Sequence, residues 1–122
     1  MQTININAVA RMCHQTNKAW CEIHGDNSQV EWNEAPDNIK QSAIDGVRHI
    51  INNPLSTPQE SHMSWLNYKV KDGWVYGKIK DIEKKTHPCM VPYHELPLKD
   101  QVKDELFGSV VRAFMHNYTI VG

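Results

Sequence analysis

Three prolines close together, Pro88, Pro92 and Pro97 in the stretch HPCMVPYHELP, set the strongest limit on how this chain folds. Each fixes φ and removes an amide donor, so residues 87 to 97 form neither a continuous helix nor a central strand. The stretch has no helical or alternating period, yet it carries His87, Cys89, Tyr93 and His94. It reads as a rigid extended segment with two open uses. It lines one wall of a pocket, or His87 and Tyr93 only tie it to neighbouring helices by hydrogen bonds.

Helical patterns stand on both sides of that segment. Ile6, Val9, Ala10, Cys13, Trp20 and Cys21 recur at helical spacing, which predicts a first helix from about Asn5 to Ile23, with Gly25 as a cap. A second helix begins near Pro36, carries Ile39, Ala43, Val47, Ile50 and Ile51 on one side, and ends at Asn53-Pro54. Thr57-Pro58-Gln59-Glu60 is a Thr-x-x-Glu capping box with proline at the first helical position, so a third helix starts there and runs to about Lys71. Asp72-Gly73 stops it. Trp74 to Lys80 predicts a short strand with Met90-Val91 as its partner. A fourth helix follows from Pro97 to His116, with Leu106, Phe107, Val110, Val111 and Phe114 on its apolar side. The predicted fold is mainly α with a small β-hairpin: about four helices packed with a short two-stranded element.

At 122 residues and 14.1 kDa the chain fits one domain, 1–122, that needs no covalent staples. A formal charge of −1 gives no general attraction to DNA or RNA. There is no apolar run of membrane-span length, and the start lacks the basic and apolar regions of a signal peptide. Three cysteines make no even disulfide framework, as expected in a reducing cytosol. These features predict a compact cytoplasmic domain.

The third helix carries two stripes. Met63, Leu66 and Val70 form one, sufficient by themselves for packing. His62, Trp65 and Lys69 form the other, roughly 110° around the cylinder. A tryptophan flanked by histidine and lysine suits stacking of a flat heteroaromatic ring, with cations for phosphate oxygens. The plainer alternative is a widened buried face at Trp65 with His62 and Lys69 in solvent. Trp74 and Tyr76 alternate with Val75, so both rings are expected on one side, near the end of the helix. Lys78, Lys80, Lys84 and Lys85 outnumber Asp81 and Glu83 in the loop beyond. That arrangement is either a nucleotide-binding surface or a solvated loop.

Other constellations carry less. Cys13, His14, Cys21 and His24 lack compact zinc spacing, and no set of four ligands has it, so no metal is expected. His87 and Cys89 can share a strand face, but nothing supplies an orienting group or oxyanion site for a nucleophile, and no catalytic residue is assigned. Asn17 interrupts the apolar stripe, either bonding to loop backbone or facing a ligand, with His14 one turn away at the stripe's edge. Trp32 is either a staple over the second helix or a stacking ring. Asp45 lies opposite its helix's apolar stripe, where a salt bridge or subunit contact would account for it.

The stretch DGWVYGKIKDIEKKTHPCMVPY resembles the signature of the ryanodine-receptor (RyR) domain family. It has a Gly-Trp-x-Tyr-Gly, here Gly73, Trp74, Tyr76 and Gly77, then Asp81 and a His-Pro-x-x-Val-Pro-Tyr at His87, Pro88, Val91, Pro92 and Tyr93. ESHMSWL resembles the family's His-x-x-Trp, and the stretches before it resemble microbial and viral single-domain members. The resemblance implies helices packed against a short hairpin. It also implies a small nucleotide-type ligand stacked on tryptophan, with roles in nucleotide signalling, antiphage defence or viral counter-defence. It places Trp65 as the stacking ring, His62 as its neighbour and Lys69 where basic side chains reach phosphate. Cys89 departs from a basic residue found there in nucleotide-binding repeats. A site built from two repeats implies a homo-oligomer. The ligand-binding residues expected are therefore His62, Trp65, Lys69, Trp74, Tyr76 and His87, with His14, Asn17, Trp32, Cys89 and Tyr93 behind them. No cofactor and no membrane partner are expected. The alternatives are a protein-interaction or assembly domain, or a hydrolase of such nucleotides using His62 or His87 as base.

Overall fold

The computed structural model describes residues 1–122. In chain order it contains β1 (Gln2–Asn5), α1 (Ile6–Ile23), α2 (Asp37–Asn52), α3 (Pro58–Lys71), β2 (Val75–Tyr76), β3 (Thr86–His87), α4 (Leu98–Asn117) and β4 (Tyr118–Val121). Single 3-10 turns precede α2 at Trp32–Glu34 and α4 at Tyr93–Glu95. The four helices lie where the sequence predicts them. No helix is long and apolar enough to cross a membrane.

Local chemistry fixes the helix ends. The Asn5 side chain accepts from the Asn7 amide at 2.7 Å and starts α1. At the other end Gly25, at φ +85°, allows its own amide to reach Glu22 O and the Asp26 amide to reach Cys21 O, closing a Schellman motif. Thr57 and Glu60 form both halves of the capping box. The core is built from Ile6, Val9, Ala10 and Cys13 of α1, Val47 and Ile50 of α2, and Val111 of α4. Burial pushes the Cys13 thiol up to about 12, as expected for a small inert core residue. At Gly46 an added Cβ would stand 2.9 Å from the Phe107 ring, so α2 approaches α4 closely there.

The stripe assignment on α3 is reversed except at Leu66, which is half-buried like Trp65. Met63 and Val70 are exposed, while His62 and Lys69 are buried at 3% and 8% exposure. No α3 residue belongs to the apolar core. The helix docks through contacts made by histidine, tryptophan and lysine, which a count of aliphatic positions does not register. Asp45 is accounted for within its own helix, 4.0 Å from Arg48 and accepting from Gln41.

The small sheet also differs from the expected hairpin. β2 pairs with β3 in parallel, Val75 with Thr86 and Tyr76 with His87, and Met90–Val91 takes no part. The reversal lies in the loop between the strands. Asp81 and Thr86 exchange two backbone hydrogen bonds at 3.0 Å, and the Asp81 carboxylate accepts from the Glu83 and Lys84 amides. The chain therefore turns inside residues 81–86 and returns beside β2 in the same direction. Gly77 makes this passage possible, because a Cβ there would lie 2.6 Å from Thr86 Cβ. The second small sheet joins the chain ends: β1 and β4 run parallel from Gln2–Tyr118 to Asn5–Val121. Four residues carry no periodic signal of their own, so these strands are visible only once α1 and α4 are packed.

Candidate functional site

The end of α3 generates the site. Gly73, at φ +89°, closes another Schellman motif: its amide donates to Val70 O, and the Trp74 amide donates to Lys69 O at 2.9 Å. The chain thus turns back over the last helical turn. The Trp74 indole comes to lie 4.5 Å from the Lys69 ammonium, which is also 6.0 Å from the Trp65 ring. Trp74 Nε1 donates to Asp72 at 3.1 Å, and Lys85 donates to the Asp72 carbonyl at 2.7 Å, so the turn is held from both sides.

The proline-rich segment supplies the opposite wall. The His87 ring stands edge-on to Trp65 at 5.1 Å and to Trp74 at 6.2 Å. His62 stacks on Trp65 at 5.5 Å, with 28° between the planes, and meets Tyr93 edge-on at 6.1 Å. His62, Trp65, Lys69, Trp74, His87 and Tyr93 are therefore contiguous. Tyr76 is not among them: it is 55% exposed and pairs with none of these rings. The expected alternation fails because Trp74 belongs to the helix-ending turn, and the strand begins only at Val75.

Each histidine has a defined hydrogen-bonding state. His62 Nε2 lies 2.7 Å from the Val91 carbonyl and must donate to it, leaving Nδ1 facing Asp104 at 3.6 Å. Burial lifts the Asp104 carboxyl to about 7. His87 Nδ1 accepts from the Cys89 amide at 3.0 Å, which places the proton on Nε2. Burial, with Lys80 and Lys69 beside it, holds the His87 imidazole down to about 4. The Cys89 thiol is pushed up to about 11, chiefly by burial, and His87 Nδ1 is spent on backbone, so the pair lacks the makings of a nucleophile. Tyr93 donates its hydroxyl to Gln101 O at 3.3 Å, which ties the proline-rich segment to α4.

Lys69 stands out electrostatically. Burial and then Lys80 lower its pKa, against the pull of Asp72, and none of the chain's ion pairs includes it. It is a covered cation between two indoles with no carboxylate of its own.

The remaining candidates lie elsewhere. His14 Nε2 lies 2.6 Å from Val30 O and its ring meets Trp32 at 5.7 Å. Trp32 packs on the core with Lys40 over its ring at 5.7 Å, so both fasten the α1–α2 connection. Asn17 is half-buried, and its carbonyl faces the Cys21 thiol at 3.9 Å. No three His, Cys, Asp or Glu side chains gather to hold a metal ion.

A cleft of about 150 Å³ was missed by the sequence reading. It lies between the end of α1 and the start of α4, with Lys80, His87 and Cys89 on its rim. Asp104 was missed too. In LKDQVKDE the alternating charges look like an ordinary solvated face, and only the packing of α3 on α4 distinguishes them.

The signature positions now have structural reasons: Gly73 for the left-handed turn, Gly77 for the close pass by Thr86, Asp81 for the loop, and Val91 for the acceptor of His62. The family model for the RyR domain matches residues 35–120, which include α2, α3, both strands of the small sheet and α4. β1 and α1 lie outside the match.

Proposed function

Because the chain belongs to the RyR domain family, we propose that it is a non-enzymatic module that binds a nucleotide or nucleotide-derived signal against Trp65, Lys69 and His87. One observation carries this reading: the Lys69 ammonium is covered, lies between Trp65 and Trp74, and forms no ion pair, the nearby Asp72 being paired with Lys85. A phosphate supplies the missing charge, and Trp65, half-exposed, supplies a ring for the base. Trp74, 8% exposed, forms the floor rather than a stacking face. His62 positions Trp65 from one side. In signalling or antiphage settings such a module senses or sequesters a cyclic ADP-ribose-type or cyclic dinucleotide messenger.

The states of the histidines support binding rather than turnover. Both His62 nitrogens face fixed partners, and a His87 imidazole near 4 is a weak base at neutral pH. A second reading, contact with a partner chain or another copy, is favoured by the exposed Val75, Tyr76, Ile79 and Ile82.

Thermal unfolding against ATP, ADP, NAD, cyclic ADP-ribose isomers and cyclic dinucleotides tests the proposal, with chromatography of each mixture afterwards. A ligand at a hundred times its Kd adds about 2.7 kcal/mol. A rise in Tm with ligand recovered intact, abolished by Trp65→Ala in a protein that still folds, is the expected result. Altered ligand means an enzyme, and no shift across the panel favours the partner-chain reading.

A further inference from the structure

The cleft between α1 and α4 differs in chemistry from the aromatic cluster it adjoins. Trp20 Nε1 donates to Lys99 O at 2.8 Å, which fixes the distance between the two walls, and the His24 ring packs on Trp20 at 4.3 Å. Lys80, Lys99 and Lys103 line the opening with Asp26 and Asp100. Three lysines against two carboxylates leave a surplus of one positive charge. Asp100 is taken by Lys103 at 3.1 Å, and Asp26 accepts the Ser28 amide at 2.9 Å. Lys80 and Lys99 enter no ion pair and no side-chain hydrogen bond.

Size then decides what fits. At about 150 Å³ the cleft holds half the lower end of the ~300–1,000 Å³ that encloses a drug-sized ligand. That volume suits one or two phosphate groups and is too small to enclose a whole nucleotide. His87 is the shared wall, with its ring against Trp65 and Trp74 and its backbone segment, through Pro88 and Cys89, lining the cleft. Five of the twelve residues that line the cleft come from α1 and the loop after it, outside the residues that match the family.

We propose that this cleft is an anion site for one or two phosphate groups, and that it holds the phosphate end of a ligand whose ring lies against Trp65. The second clause rests on the nucleotide reading above; the first does not. A ligand of this kind straddles His87, whose ring meets Trp65 and whose segment lines the cleft.

Titration calorimetry with inorganic pyrophosphate tests the cleft directly. Wild-type protein is expected to bind it, and Lys80→Gln/Lys99→Gln to weaken binding at least tenfold with a shallower salt dependence. Both lysines are exposed, so the double variant folds. Trp65→Ala is expected to change the pyrophosphate Kd less than twofold while abolishing any nucleotide response. Absence of pyrophosphate binding, or an unchanged Kd in the double variant, overturns the inference. Loss of pyrophosphate binding in Lys69→Met alone also overturns it, by moving the anion to the aromatic cluster and leaving the nucleotide reading intact. Binding lost in the double variant, together with a silent nucleotide panel, upholds the anion cleft and removes the nucleotide reading.

Discussion

Replacing Lys69 by methionine asks whether its charge is held at a cost to folding. Two effects oppose each other. The ammonium is 4.5 Å from the Trp74 ring and 6.0 Å from Trp65, contacts worth together about 1–2 kcal/mol. Against them stands the loss of hydration, several kcal/mol for a buried ion after relaxation, with no carboxylate paired to it. Methionine matches the length and keeps a sulfur–aromatic contact of about 0.3–1.5 kcal/mol. The desolvation term wins, so Lys69→Met is expected to raise stability by about 1 kcal/mol, or ~4 °C in Tm for a chain of this size.

The pH dependence gives an independent sign. Burial, then Lys80, lowers the folded pKa of Lys69 below its ordinary 10.5, so the unfolded chain binds this proton more tightly. The penalty is complete below the folded pKa and fades as pH rises toward 10.5, where stability from this group increases. Other groups titrate there, so urea unfolding of wild type and variant is compared at pH 7 and pH 10, and the difference isolates Lys69. The variant's advantage is expected at pH 7 and should shrink at pH 10. A loss of 1 kcal/mol or more in Lys69→Met, unchanged with pH, refutes the reasoning: Lys69 is then a stabilising cation, with no surplus charge kept for a ligand.

Asp104→Asn tests the other perturbed group. With its folded pKa raised to about 7 from 3.8, Asp104 favours folding most below pH 4, and that contribution falls as pH rises to 7. The variant should match wild type near pH 4 and exceed it at pH 8 in chemical denaturation. Gly77→Ala drives a methyl to 2.6 Å from Thr86 Cβ, and is expected to cost about 1–3 kcal/mol and part β2 from β3, read by hydrogen exchange at the Gly77 amide. Thr57→Ala removes the hydroxyl that accepts the Glu60 amide, leaving only the half of the box made by the residue-57 amide and the Glu60 side chain, and should cost about 1 kcal/mol by thermal unfolding.

The helices were legible because their signals are local: the Thr57–Glu60 box, the glycines at 25 and 73, and the apolar stripes of α1, α2 and α4 are all contained in short windows. β1 and β4 were not, since neither four-residue strand means anything until the chain ends meet. The direction of β3 depended on one tight turn at Asp81–Thr86, whose bonds leave no periodic mark. On α3 the pattern misled. Met63 and Val70 are the residues a hydrophobicity count puts inside, yet His62 and Lys69 occupy that place because Val91 O, Asp104, Trp65 and Trp74 meet them there. The grouping of Trp65 with His62 and Lys69 was readable from spacing, whereas Lys99 and Lys103 gained meaning only from the end of α1, more than 70 residues away in sequence.

The parallel pairing of β1 with β4 has a mechanical consequence. Residue 2 lies at one end of this ribbon and residue 121 at the other, with the strands running the same way. Tension applied to the two ends pulls the strands past each other along their length. All the hydrogen bonds between them then bear the load together, rather than opening one at a time as in a zipper. Stretched from its ends, the domain resists first at the β1–β4 ribbon, and α1 and α4 stay shielded from the force until it shears.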